Sequence, residues 1–162
     1  MRILVASDSH GDYMSLRKAF QKEESKGEKI DAFIFLGDGE RDYDRVTATM
    51  GGITTYRVRG NNDWDTDARL FLAMDIGAHR YFINHGHRME VWRNNDMLVN
   101  AADQNGCQVA LFGHTHCRHY SFEKGVYVFN PGSIALPRDG NGRSYGIITE
   151  ENGKLDFFHY NI

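Results

Sequence analysis

Ile3-Leu4-Val5-Ala6-Ser7-Asp8-Ser9-His10-Gly11 opens the chain with four apolar residues in unbroken succession, followed by small and polar ones. A continuous apolar run of this length reads as a strand buried on both faces, the form taken by parallel strands covered by helices. Behind it, Leu16, Ala19 and Phe20 repeat at helical spacing, with Asp12 placed to cap the helix. The chain therefore starts as strand, loop, helix.

Ala32-Phe33-Ile34-Phe35-Leu36 and Val109-Ala110-Leu111-Phe112 share the design of the first run. Strands are also predicted over 53–59, 69–76 and 80–84, and a polar-rich helix over 89–103, ended by Asn105-Gly106. Beyond His116 the pattern alternates, with Val126 and Val128 against Tyr127 and Phe129, then Tyr145, Ile147 and Thr149, then Leu155, Phe157 and His159. Lys124-Gly125 and Asn152-Gly153 mark turns between these segments, which predicts antiparallel strands in a second sheet. The Lys22 to Lys29 run is expected to be a solvated helix face ending at Gly27. Together these elements predict an α/β sandwich in which two packed sheets lie under flanking helices, with residues 1–162 as a single domain.

Bulk properties narrow the function. The 162 residues suit one core that buries roughly 70% of the unfolded chain's surface. A net charge of −3 lacks the basic excess of a nucleic-acid binder, so no long nucleic acid is expected as a partner. Two cysteines, Cys107 and Cys117, without metal-knuckle spacing, read as reduced thiols; with no apolar span of membrane length, a cytoplasmic protein without a membrane partner is expected.

The chemistry gathers where the buried runs end. Ala6 leads into Ser7-Asp8-Ser9-His10, Leu36 into Gly37-Asp38, and Phe112 into Gly113-His114-Thr115-His116. Gly60-Asn61-Asn62-Asp63 and Asn84-His85-Gly86-His87 follow two further strands. The carboxyl ends of parallel strands form a mouth where polar groups stay close to solvent, and glycines let the backbone turn there. Singly, Asp8 or Asp38 reads equally well as a helix cap, Asn61 as a turn residue and each histidine as a surface residue. Five clusters of Asp, Asn and His at one mouth are costly unless a cation pairs them.

The ordered set D-x-H, G-D, G-N, H and G-H-x-H resembles the calcineurin-like metallophosphoesterase superfamily. Ser7-Asp8-Ser9-His10-Gly11 and Asn130-Pro131-Gly132-Ser133, followed by Pro137-Arg138, resemble its YfcE-type small phosphodiesterases. The resemblance implies the four-layer αββα sandwich of that superfamily. It implies two divalent ions, one held by Asp8, His10, Asp38 and His116 and the other by Asp38, Asn61, His85 and His114, with Asp38 shared. Carboxylate, imidazole and amide donors without thiolate suit Mn(II), Fe(II), Zn(II) or Ni(II) better than Mg(II) or Ca(II), and Mn(II) is the expected ion. Two such ions, offset by Asp8, Asp38 and a bridging hydroxide, leave about +1 to attract an anionic phosphoester. The implied reaction is hydrolysis of a small or nucleotide-like phosphodiester by that hydroxide, both ions stabilising charge on the phosphoryl oxygens.

Most superfamily members carry histidine directly after the metal-binding asparagine; here Asn62 occupies that position and can donate a hydrogen bond to phosphate but no proton. His87, two residues beyond His85, is the candidate substitute proton donor, with an exposed loop histidine as the alternative. Asn130 to Ser133 either brings backbone groups to the mouth or is a strand-ending turn, and Arg138 either meets substrate phosphate or lies on the surface. His79, His119 and His159 are expected to be structural. A phosphomonoesterase, a nucleoside polyphosphate hydrolase and a non-catalytic interaction scaffold of the same fold are the competing functions, and a homo-oligomer stays open.

Overall fold

The three continuous apolar runs become the innermost strands of the computed structural model, which describes residues 1–162. The first is β1 (Arg2–Ala6), followed by α1 (Tyr13–Ser25) and β2 (Ala32–Phe35). Next come α2 (Glu40–Thr47), β3 (Thr54–Arg57), β4 (Phe71–Ile76), β5 (His79–Asn84) and α3 (Asp96–Gln104). The third run is β6 (Val109–Leu111), after which only strands follow: β7 (Arg118–Glu123), β8 (Val126–Pro131), β9 (Ser144–Glu151) and β10 (Lys154–Asn161).

These strands form two mixed five-stranded sheets, ordered β10-β9-β1-β2-β3 and β4-β5-β6-β8-β7. Each sheet contains three adjacent parallel strands: β1, β2 and the edge strand β3 in the first, β5, β6 and β8 in the second. Ile3, Val5 and Ile34 meet Tyr81, Ile83 and Leu111 between the sheets, all fully buried. Outside the first sheet, Leu16, Ala19 and Phe20 of α1 and Tyr43 and Val46 of α2 pack on Leu4, Phe33 and Phe35. Outside the second, Leu98, Val99 and Ala102 of α3 pack on Phe82, Ala110 and Val128. Both faces of each central strand are covered, which is why their sequences do not alternate. The layers are α, β, β, α, as anticipated.

Asp12 caps α1 as its sequence suggests, its carboxylate accepting from the Ser15 N–H at 3.0 Å. Lys124-Gly125 and Asn152-Gly153 make the expected hairpin turns, all four residues at positive φ.

Three expectations need correction. The strands after His116 do not make one antiparallel second sheet. β8 runs parallel to β6, while β9 and β10 cross to the first sheet, where β9 lies antiparallel to β1. Alternation reports which faces are buried, and β9 buries both, with Tyr145 and Ile147 toward α1 and Ile148 toward the other sheet. Likewise the helix predicted over 89–103 starts only at Asp96. Gly86 and Glu90 take positive φ in the turns that precede it, and Asn95 is tied sideways, its Nδ2 donating to Glu123 at 2.9 Å.

Finally, the charged run at the end of α1 is not all solvated, because Glu23 is fully buried. Its carboxylate accepts from Arg2 of β1, Lys26 and the Tyr145 hydroxyl of β9, joining helix and sheet at a point with no access to water. Burial raises the Glu23 pKa, but these donors outweigh it and the net shift is downward. The stabilisation is therefore complete above the ordinary glutamate value of 4.5 and is lost as pH falls through the lower folded-state value. Replacing Glu23 by alanine leaves the Tyr145 hydroxyl unpaired and Arg2 with only the Glu28 carboxylate at 3.9 Å, and should cost about 3 kcal/mol in urea unfolding at pH 7, with a smaller difference in acid. An unchanged urea midpoint at pH 7 would show that this cluster does not tie the helix to the sheet.

Candidate metal centre

Parallel strands point their carboxyl ends the same way, so the loops after β1, β2 and β3 and those after β5, β6 and β8 open onto one mouth where the two sheets meet. Asp8 and His10 leave β1, Asp38 leaves β2, Asn61 follows β3, His85 follows β5, and His114 and His116 follow β6. All seven predicted residues come together there.

Two compact groups of donor atoms form, Asp8 with His10 and His116, and Asp8 with Asp38 and His85. Asp8 Oδ1 lies 3.3 Å from His116 Nε2 and 3.9 Å from His85 Nε2; Asp38 Oδ2 lies 3.5 Å from His85 Nε2 and 3.7 Å from His10 Nε2. Asn61 Oδ1 approaches His85 Nε2 at 3.1 Å, and His10 Nε2 approaches His116 Nε2 at 3.3 Å. His114 stands edge-on to His85, ring centroids 5.2 Å apart, and its backbone N–H donates to Asp8 Oδ2.

The outer nitrogens decide what the inner ones offer. Nδ1 of His85 donates to the Leu36 carbonyl and Nδ1 of His116 to the Leu136 carbonyl, each at 2.7 Å. In the neutral ring that leaves a lone pair on each Nε2, aimed inward. Asp8 Oδ1 is buried and has no hydrogen-bond partner. Lone pairs therefore converge on a buried, unpaired carboxylate oxygen, an arrangement that a divalent cation fits and that is costly without one. The mixed oxygen and nitrogen donors, with no thiolate, suit a transition-metal ion.

Without an ion the charges settle on one another. Burial lowers the His85 pKa, but Asp38 and Asp8 more than reverse that, and His116 is raised in the same way by Asp8. Burial raises Asp38, yet the His85 and Asn62 bonds hold it well below the carboxylate range. His87 and His114 go the other way, lowered by burial and by the neighbouring His85.

The local backbone is strained where the chemistry is. Of eight non-glycine residues at positive φ, five are Asp8, His10, Asp38, His114 and His116, with φ between 45° and 66°. Asp and His tolerate this region better than most residues, but each such site still costs on the order of 1 kcal/mol. Neither Asp8 nor Asp38 caps a helix, since Asp12 caps α1 and Gly39 begins α2. The motif glycines serve close approach: a Cβ on Gly60 would lie 2.1 Å from Asp38 Oδ1, and one on Gly113 would lie 1.9 Å from Ser7 Oγ.

Asp63, the last residue of the Gly60-Asn61-Asn62-Asp63 quartet, holds this strained turn. Its Oδ2 accepts from the N–H groups of Asp38 and Gly60, and its Oδ1 from those of Gly39 and Glu40, at 2.8 to 3.1 Å. Asp42 does the same for the first loop, accepting from Ser9 Oγ and the Gly11 N–H. No spacing rule marks Asp42; Asp63 carries a faint signal, a carboxylate closing a polar quartet. The Asn130 to Ser133 turn does reach the mouth: Ser133 Oγ donates to the Asp8 carbonyl and Asn130 Nδ2 to the Gly113 carbonyl, both at 2.9 Å.

Asn62 lies over Asp38, its backbone N–H on Oδ1 and its Nδ2 on Oδ2. His87 sits beside the centre, its ring centroid 5.4 Å from that of His85 and its buried Nδ1 unpartnered. His79, His119 and His159 lie apart from the cluster, engaged with Glu150, Ser121 and the Asn130 carbonyl respectively.

Residues 1–153 match the family model described as the calcineurin-like phosphoesterase superfamily domain. A probable metallophosphoesterase of Bacillus subtilis, YsnB, is 31% identical over 153 residues, spanning 94% of this chain and 86% of the relative. The phosphodiesterase YfcE of Escherichia coli K12 is 27% identical over 173 residues, spanning 93% and 89%. Among solved structures, a conserved predicted phosphoesterase of Streptococcus pneumoniae TIGR4 superposes with a TM-score of 0.76 at 23% identity, covering 98% of this chain and 97% of that one, a likeness of fold. The strand-end geometry and the match over nearly the whole length agree, and the chain belongs to the calcineurin-like phosphoesterase superfamily.

Proposed function

We propose that residues 1–162 act as one catalytic domain, a phosphodiesterase that hydrolyses a small or nucleotide-like phosphoric ester at a site for two divalent ions. The observation that carries this reading is the buried, unpartnered Asp8 Oδ1 facing the inward Nε2 atoms of His85 and His116. Asp8, His10, Asp38 and His116 would hold one ion and Asp38, Asn61, His85 and His114 the other, with Mn(II) first among Mn(II), Fe(II), Zn(II) and Ni(II). Bound there, the ions would supply Lewis acidity at the phosphoryl group and lower the pKa of a water molecule.

The chain's own groups prepare that chemistry. The Leu36 and Leu136 carbonyls fix the His85 and His116 rings, and Asp63 fixes the Asp38 turn, so little reorganises when a ligand arrives. Asn62 Nδ2 carries two hydrogens; one holds Asp38, and the other is free to donate to a phosphoryl oxygen. His87, its ring beside that of His85, would be the proton donor to the departing alcohol oxygen; burial and its histidine neighbours lower its pKa, so it would act from its protonated form, which is favoured toward acid pH. The free thiols of Cys107 and Cys117 support a cytoplasmic setting.

Supplied with Mn(II), the protein should cleave bis(p-nitrophenyl) phosphate and lose that activity to a chelator. Asp38→Asn, which keeps the shape but removes the shared charge, should lower kcat by about 100-fold or more. Wild-type turnover by that variant would reject the site. Side-by-side rates on mono- and diesters separate the diesterase from a monoesterase. His87→Ala should slow poor leaving groups selectively, steepening the dependence of rate on leaving-group pKa; equal slowing across the series would remove the proton-donor role.

A further inference from the structure

The loops that carry the proposed ligands also wall two clefts of opposite charge. One, of about 430 Å3, begins at His10, Asp38 and Asn62 and takes Glu40, Asp44 and Asp65 into its walls, with Arg41 as its single arginine. The other, of about 550 Å3, begins at His114 and Thr115 and is lined by Arg93, Arg118 and Arg138 with no carboxylate, in a chain whose net charge is −3.

Arg118 is already occupied. Asp139 stands 3.9 Å from its Nε, and its Nη2 donates to the Asn141 and Gly142 carbonyls. Arg93 and Arg138 are exposed and enter no ion pair. Both are nevertheless held at the mouth. The Arg138 N–H donates to the His116 carbonyl at 2.9 Å, which keeps it beside the ligand loop. Arg93 sits in a turn closed on Glu90, in the segment leaving His85, and Asn95 fastens that segment to His119 and Glu123. Trp92, 70% exposed, lines the same cleft. Two guanidinium groups carried on held backbone and without counter-charge attract an anion, and their planar donor forks match phosphate oxygens.

We propose that this cleft is a subsite for a second phosphate of the substrate, so that the preferred ester is one whose nucleoside-like alcohol carries a further dianionic phosphate held by Arg93 and Arg138. The base of that alcohol would lie against the open face of Trp92, while the acidic cleft opposite repels the same group and sets the orientation. This inference rests on the phosphodiesterase reading above and adds its substrate class.

The test titrates the Mn(II)-loaded protein by calorimetry with thymidine 5′-phosphate and thymidine 3′,5′-bisphosphate, and assays the 5′-p-nitrophenyl ester of each. The bisphosphate should bind about tenfold tighter, the scale of one or two charge-assisted hydrogen bonds. That preference should shrink to about twofold or less in Arg93→Ala and Arg138→Ala and persist in Arg41→Ala, which removes an equal charge from the other cleft. Equal binding of the two nucleotides, or a preference that survives both substitutions, overturns the subsite. Arginine-dependent preference without hydrolysis of either ester leaves the subsite standing and removes the hydrolase reading instead.

Discussion

Keeping Asp8 and Asp38 out of water is the constraint on which the rest of the structure depends. Both carboxylates are almost wholly buried, and one oxygen of Asp8 has no donor at all. Buried charge on this scale survives only beside compensating charge, and the fold supplies it from several directions at once. Three parallel strands of each sheet end at the same mouth, so imidazoles from the second sheet face carboxylates from the first. The sandwich is thus a device for bringing loops distant in sequence to one point.

The second demand on the fold is conformational. Five of the proposed ligands hold left-handed backbone, which no local sequence preference enforces. It is imposed from behind, by Asp63 gathering four N–H groups, by Asp42 holding the first loop, and by Ser133 reaching across to the Asp8 carbonyl. None of these residues needs to touch a substrate. They hold the candidate ligands in one preset geometry, the condition under which a site stabilises charge without reorganising.

Charge then divides the mouth. The acidic wall around Glu40 and Asp65 and the arginine wall around Arg93 and Arg138 adjoin the loops that bear the proposed ligands, Arg138 through its bond to the His116 carbonyl. Arg138 belongs to a segment that carries the family resemblance, whereas Arg93 and the exposed Trp92 lie outside those motifs.

How much of this was legible beforehand follows from what each signal measures. Unbroken apolar runs at Ile3, Ala32 and Val109 report burial on both faces, and small residues followed by Asp or His report the strand ends, so layers, mouth and seven candidate ligands could be read from the chain. Sheet membership of β9, the late start of α3 and the burial of Glu23 could not, because periodicity records which faces are covered and not by what. The sequence by itself determined where the Asp, Asn and His clusters fall, since strand and loop patterns are local, and its resemblance to the family singled out the candidate ligands among them. Only the tertiary structure decided that Asp63 and Asp42 brace them and that Arg93 and Arg138 share one cleft, because those pairings join loops separated by up to 45 positions and exist only once two sheets have packed.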